Sequence, residues 1–113
     1  MFCTTYIGDI DDPNFSREDG NWNGNIPRGL GAKFPGYLEH YNAQFFRWVA
    51  EAKVIEKQTD FSAWVAKVDK RQLLDFITYC YGSTDLEDSV LKLIDFVNGL
   101  DEHKIYGLVA EQF

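Results

Sequence analysis

Carboxylates crowd the stretch DIDDPNFSREDG, at Asp9, Asp11, Asp12, Glu18 and Asp19. Oxygen-rich loops of this kind can hold a hard cation, and a bound divalent ion can activate water for hydrolysis. An EF-hand loop needs Gly at its sixth position and Glu at its twelfth. Counting from Asp9 puts Asn14 and Gly20 there; counting from Asp11 puts Ser16 and Trp22. That spacing excludes an EF-hand. It leaves two readings of the segment: a rim of charge facing a cationic partner, or the acidic 9–19 loop of a small metal-dependent hydrolase.

Other chemistries find less to work with. In PRGLGAKFPG, Gly29 and Gly31 stand beside Arg28 and Lys33, and glycine turns with basic neighbours can cradle phosphate. Neither GxxxxGK[ST] nor GxGxxG is present, so turn geometry accounts for the glycines. Cys3 and Cys80 are too few for a disulfide framework, and with His40 and His103 they lack the spacing of a zinc site. Cys80 falls on the apolar stripe of a predicted helix, where a cysteine acts as a small hydrophobe. No GxSxG or HExxH supports a hydrolase, so no catalytic residue, cofactor or metal ligand is assigned.

The chain has 113 residues with 18 acidic and 11 basic side chains, a formal net charge of −7. Such a field repels nucleic-acid phosphates and anionic membranes and speeds encounter with cationic proteins. Aromatics are 16% of residues, too many for a disordered chain and, with Trp22, Tyr37, Tyr41 and Trp48 among them, more than one small core readily houses. Tyr and Trp are enriched at protein interfaces. No basic leader or long apolar run begins the chain, and no run reaches the ~20 residues of a membrane span. These features predict one domain over 1–113, in the cytoplasm, with reduced thiols.

The elements that must position these groups follow from periodicity. FCTTYIGDI reads as a strand near 2–10, with two semi-apolar faces. Residues 11–36 carry all three prolines and five glycines, yet Phe15, Trp22, Ile26, Leu30 and Phe34 lie among them. The expectation is a long ordered loop pinned by those side chains. Leu38, Tyr41, Phe45, Trp48, Ala52 and Ile55 step by three and four, predicting a helix over 37–56; the alternation Phe46, Trp48, Ala50, Ala52, Val54 is the competing strand pattern, and length favours the helix. A strand is expected at 62–68. Asp69 with Gln72 forms a capping box opening a helix over 70–81 that Gly82 closes. Thr84 with Glu87 forms a second box, opening a helix over 85–98 stopped by Gly99; Asp85, Glu87 and Asp88 suit its positive end. IYGLVAEQF completes a strand near 104–112. Strands and helices in this order predict an α+β fold with a small sheet.

A compact acidic domain without a catalytic motif is similar in character to bacterial immunity proteins, which bind and block basic nuclease toxins. The expected function is therefore non-catalytic binding of a basic protein. Asp9, Asp11, Asp12, Glu18, Asp19, Asp85, Glu87 and Asp88 would form the charged rim, with Trp22 as anchor. The metal-dependent hydrolase and an oligomeric accessory or regulatory subunit are the alternatives.

Overall fold

A computed structural model describes residues 3–9, 29–35, 43–60 and 63–112. The elements, in chain order, are β1 (Cys3–Gly8), β2 (Gly29–Lys33), α1 (Ala43–Ala52), β3 (Ile55–Asp60), β4 (Ala63–Val68), α2 (Lys70–Tyr81), α3 (Asp88–Asn98) and β5 (Tyr106–Gln112). The strands form one five-stranded sheet in the order β2-β1-β5-β4-β3, and every pairing is antiparallel. The fold is α+β.

Alternation along the strands sorts the side chains onto two faces. Ile7, Ala66, Val68, Tyr106, Leu108 and Ala110 share one cluster with the apolar stripes of the helices. The register explains why they meet: Ile7 and Ala66 both pair with Leu108, across adjacent ladders. On the opposite face Val65 faces Val109, and Tyr6, which also pairs with Val109, packs against both. Both valines are buried. The semi-apolar character of both faces of β1 therefore has a use on each side.

The helices obey the 3.6-residue period. Phe45, Trp48 and Val49 in α1, Leu73, Phe76 and Ile77 in α2, and Val90, Leu93 and Val97 in α3 are buried, with charged residues between them. Each such side chain contributes about 1.5–3 kcal/mol by leaving water. The capping box at α2 forms as its spacing requires: the Gln72 amide donates to Asp69 Oδ1 at 2.8 Å, and the Asp69 amide donates to Gln72 Oε1 at 2.9 Å. Gly82 ends α2 with φ +80°, a left-handed conformation that costs glycine little. Lys70 Nζ donates to the Asn98 carbonyl at 2.7 Å and ties the start of α2 to the end of α3.

Several expected boundaries are corrected. Gly29–Lys33, inside the expected 11–36 loop, is the edge strand β2. Its glycines carry no strand signal; pairing with β1 makes it a strand. Leu30 packs against the core and Phe34 is buried within it, so these two do pin the segment to the body, while residues 10–28 lie outside the described part. The expected 37–56 helix is described from Ala43 and stops at Ala52. Lys53 turns the chain with φ +55°, and Ile55–Asp60 then forms β3, which the helical reading had partly absorbed. Residues 37–42 lie outside the described part.

The last helix begins at Asp88 rather than at residue 85, because Asp85 has φ +55° and cannot lie within a right-handed helix. Thr84 and Glu87 do not form a capping box; Glu87 is itself the N-cap and makes no side-chain cap bond. The remaining strands are slightly trimmed, to Cys3–Gly8, Ala63–Val68 and Tyr106–Gln112.

Among the described residues, one buried side-chain group is unsatisfied. Thr5 is 2% exposed and its hydroxyl has no hydrogen-bond partner. Replacing Thr5 by valine keeps the shape and removes the desolvated hydroxyl, so it is expected to stabilise the protein by about 1–2 kcal/mol in urea unfolding. A loss of stability would mean that the hydroxyl is hydrogen-bonded after all.

Candidate functional site

Among the described residues, the predicted acids fall into two places. Asp9 follows Gly8 at the end of β1 where Gly8 pairs with Gly29 and Gly107. Asp85 and Glu87, between α2 and α3, share a cleft with Pro35, just past the end of β2, and Asp88 is the first residue of α3. The Phe34 amide, just before Pro35, bonds the Thr5 carbonyl at 2.9 Å, and Thr5 is four residues, or about 13 Å of strand, from Asp9. The fold does not bring Asp9 to the other three. Asp11, Asp12, Glu18, Asp19 and Trp22 lie outside the described residues.

Asp85 and Glu87 instead border a cleft of about 290 Å³, with Pro35, Tyr81, Leu86 and Val90 as its other walls. Its construction starts at the end of β2. Phe34 inserts under α2, with its ring centroid 5.4 Å from Phe76 and 6.4 Å from Tyr81. That insertion sets Pro35 beside the last turn of α2, where the Tyr81 hydroxyl donates to the Pro35 carbonyl at 2.8 Å. Burial, helped by the neighbouring Cys80, pushes the Tyr81 hydroxyl above its ordinary value of 10.0.

The side chain is therefore a neutral donor at physiological pH. Because the folded state holds this proton more tightly than the unfolded chain, its stabilisation is complete below the unfolded value and is lost as pH rises above about 10. Tyr81→Phe is expected to cost about 1 kcal/mol at neutral pH through the lost bond. It should also flatten the fall in stability above pH ~10 in pH-dependent urea melts; an unchanged alkaline slope would assign that fall to other groups.

The mouth of the cleft is negative for two reasons. Asp85, Glu87 and Asp88 are exposed, and none forms an ion pair or side-chain hydrogen bond among the described residues. Asp85 takes the left-handed turn that aspartate tolerates better than most side chains, which sets its position at the mouth. Beside it ends α2, whose last turn contains no basic residue to offset the negative end of its macrodipole. The apolar walls, Pro35, Leu86 and Val90, suit the aliphatic stem of a long basic side chain, and the carboxylates suit its head.

No known protein family, curated protein sequence or solved structure matches this chain. The site is therefore judged by its own chemistry. Among the described residues no three His, Cys, Asp or Glu side chains stand close enough to hold a metal ion, and the acidic 9–19 loop that carried the metal-hydrolase alternative lies almost wholly outside them. No described helix is long and apolar enough to cross a membrane. His103 is 87% exposed and lies 3.5 Å from Glu102, while Cys80 is half-buried on α2, so those two do not meet in a nucleophilic site.

Of the surplus aromatics, Trp22, Tyr37 and Tyr41 lie outside the described residues, and the others go inward. Phe34, Phe45 and Trp48 are buried, and Phe46 and Trp64 pack against the same core with centroids 5.2 Å apart. These rings build the interior, mostly through edge-on and tilted contacts. The walls Pro35, Tyr81, Leu86 and Val90 were not singled out as site residues. Their only signal was adjacency to the acidic DLED stretch and to the glycine that ends α2.

Proposed function

We infer that the protein is a non-catalytic binding module for a basic protein, acting in the manner of an immunity or inhibitor protein that neutralises a cationic partner such as a nuclease toxin. The observation that carries this reading is the cleft at the end of α2. Its apolar walls are rimmed by Asp85 and Glu87, carboxylates that pair with no cation among the described residues, next to the end of α2, whose last turn holds no basic residue. The net charge of −7 supports the same sign of partner over longer range. A cytoplasmic setting fits a protein that would neutralise a nuclease before it meets nucleic acid.

The test is direct. The purified chain is titrated by calorimetry with basic nuclease domains, including any encoded by a neighbouring gene, at low and at physiological salt. A 1:1 complex that weakens steeply with salt and depends on Asp85 and Glu87 supports the reading. Absence of a complex, or one indifferent to both carboxylates, sinks it.

A further inference from the structure

A second cleft opens on the other side of α2, between it and α1. It measures about 390 Å³ and is lined by Trp48, Glu51, Ala52, Asp75, Thr78 and Tyr79. We propose that this cleft receives an arginine side chain of the basic partner, its guanidinium held between the Glu51 and Asp75 carboxylates and its plane laid on the Tyr79 ring. The assignment rests on the proposed function only for the existence of a basic partner; the preference for arginine comes from the cleft itself.

The carboxylate of Asp75 is already oriented. Trp48 is 2% exposed, and its indole Nε1 donates to Asp75 Oδ2 at 2.8 Å. That bond fixes Asp75 while leaving Oδ1 and the remaining lone pairs open, since a carboxylate accepts at about four sites. Glu51 comes from the neighbouring helix, is exposed and has no ion-pair partner among the described residues. The cations nearest in sequence, Lys53 and Arg71, pair with neither acid.

Tyr79 is 37% exposed, one of few large apolar surfaces the described residues leave open. A planar fork that bonds carboxylates and stacks on an aromatic ring is the property that separates arginine from lysine. Thr78 adds a hydroxyl, and both Thr78 and Tyr79 sit in the turn of α2 where the helix dipole is negative. Two carboxylates are too few ligands for a dedicated calcium site, and their charge repels phosphate and anionic lipid. A guanidinium offers donors to both carboxylates and a flat face to the Tyr79 ring.

The two clefts flank the same end of one helix: Thr78 and Tyr79 face one, Tyr81 the other. A partner lying across the C-terminal turn of α2 would engage both, with charge at two separated points to set its orientation.

The experiment follows the Trp48 indole N–H by NMR in the 15N-labelled full chain, titrated with Nα-acetyl-argininamide. Nα-acetyl-lysinamide and sodium chloride at matched ionic strength serve as comparators. A saturable shift of that resonance is expected with argininamide, several-fold weaker with lysinamide, and absent with salt. Trp64, which packs on Phe46, should stay still.

Glu51→Gln and Asp75→Asn, the latter keeping an acceptor for the indole, should each weaken binding about five-fold; Glu51→Gln should leave the spectrum of the free protein unchanged, whereas Asp75→Asn should move the Trp48 indole resonance, whose acceptor it alters, and leave that of Trp64 in place. A response no larger than that to salt, or equal binding of the lysine compound, overturns the assignment. If argininamide fails while Asp85 and Glu87 still govern the complex with the basic protein, this cleft is excluded and the proposed function survives. If argininamide binds here but no such complex forms, the reverse holds.

Discussion

Phe76→Ala is expected to remove about 3–5 kcal/mol of stability, the usual cost of deleting a fully buried phenyl group. Phe76 is 0% exposed and is the ring on which two others converge: Trp48 at 5.0 Å from α1 and Phe34 at 5.4 Å from the end of β2. Truncation removes the transfer free energy of the ring and opens a cavity that three separate elements would have to shift to fill. Two of those neighbours are themselves fixed. Trp48 is tied by its indole to Asp75, and Phe34 by its amide to Thr5. Collapse into the space is thus restricted, which places the cost toward the upper end.

Small domains have only about 5–15 kcal/mol in total, so the variant should be near the limit of folding. Urea unfolding is the measurement, with the midpoint expected to fall by roughly 2 M at an ordinary m-value. Phe76→Leu should recover about half of the loss, and Phe34→Ala combined with Phe76→Ala should cost less than the two separate losses summed, because the rings share one contact. A loss below about 1 kcal/mol for Phe76→Ala would show that these rings are not packed as described.

The largest effect on binding is expected from reversing the charge at the α2–α3 cleft. Asp85→Lys with Glu87→Lys puts two cations where the proposed partner is cationic, and like charges brought together at an interface cost several kcal/mol. A rise in Kd of more than 100-fold, roughly 3 kcal/mol, is anticipated. The residual affinity should also lose most of its dependence on salt.

The fold should tolerate the change. Both side chains are exposed and unpaired among the described residues, and the expected penalty is the loss of favourable charge at the start of α3, about 0.3–1 kcal/mol. Asp9→Lys, at the far end of β1, is the appropriate comparison. If it weakens the complex as strongly as the double reversal, the interaction follows overall charge and the cleft has no special part in it.

How much of this was readable in the chain varies with the range of the forces involved. The start of α2 was set within a few residues: Asp69 and Gln72 satisfy each other's amides whatever lies elsewhere, and Gly82 supplies the left-handed exit. The stripes of α1, α2 and α3 were likewise visible, because burial of one helical face follows from spacing. The start of α3 is not legible in the same way, because the box at Thr84 and Glu87 competes with a turn that needs Asp85 left-handed, and local spacing does not choose between them.

The acidic character of the surface, the apolar period of three helices and three of the strands follow from residue types and their order alone, since solvation and local hydrogen bonding act over a few residues. That Gly29–Lys33 and Ile55–Asp60 are strands, that Phe34 reaches Phe76, and that Glu51 and Asp75 line one cleft were decided only in three dimensions. Edge strands form where a neighbour offers unpaired amides and carbonyls, and clefts form where helices distant in sequence are pressed onto one sheet. Neither condition is written in any short window of the chain.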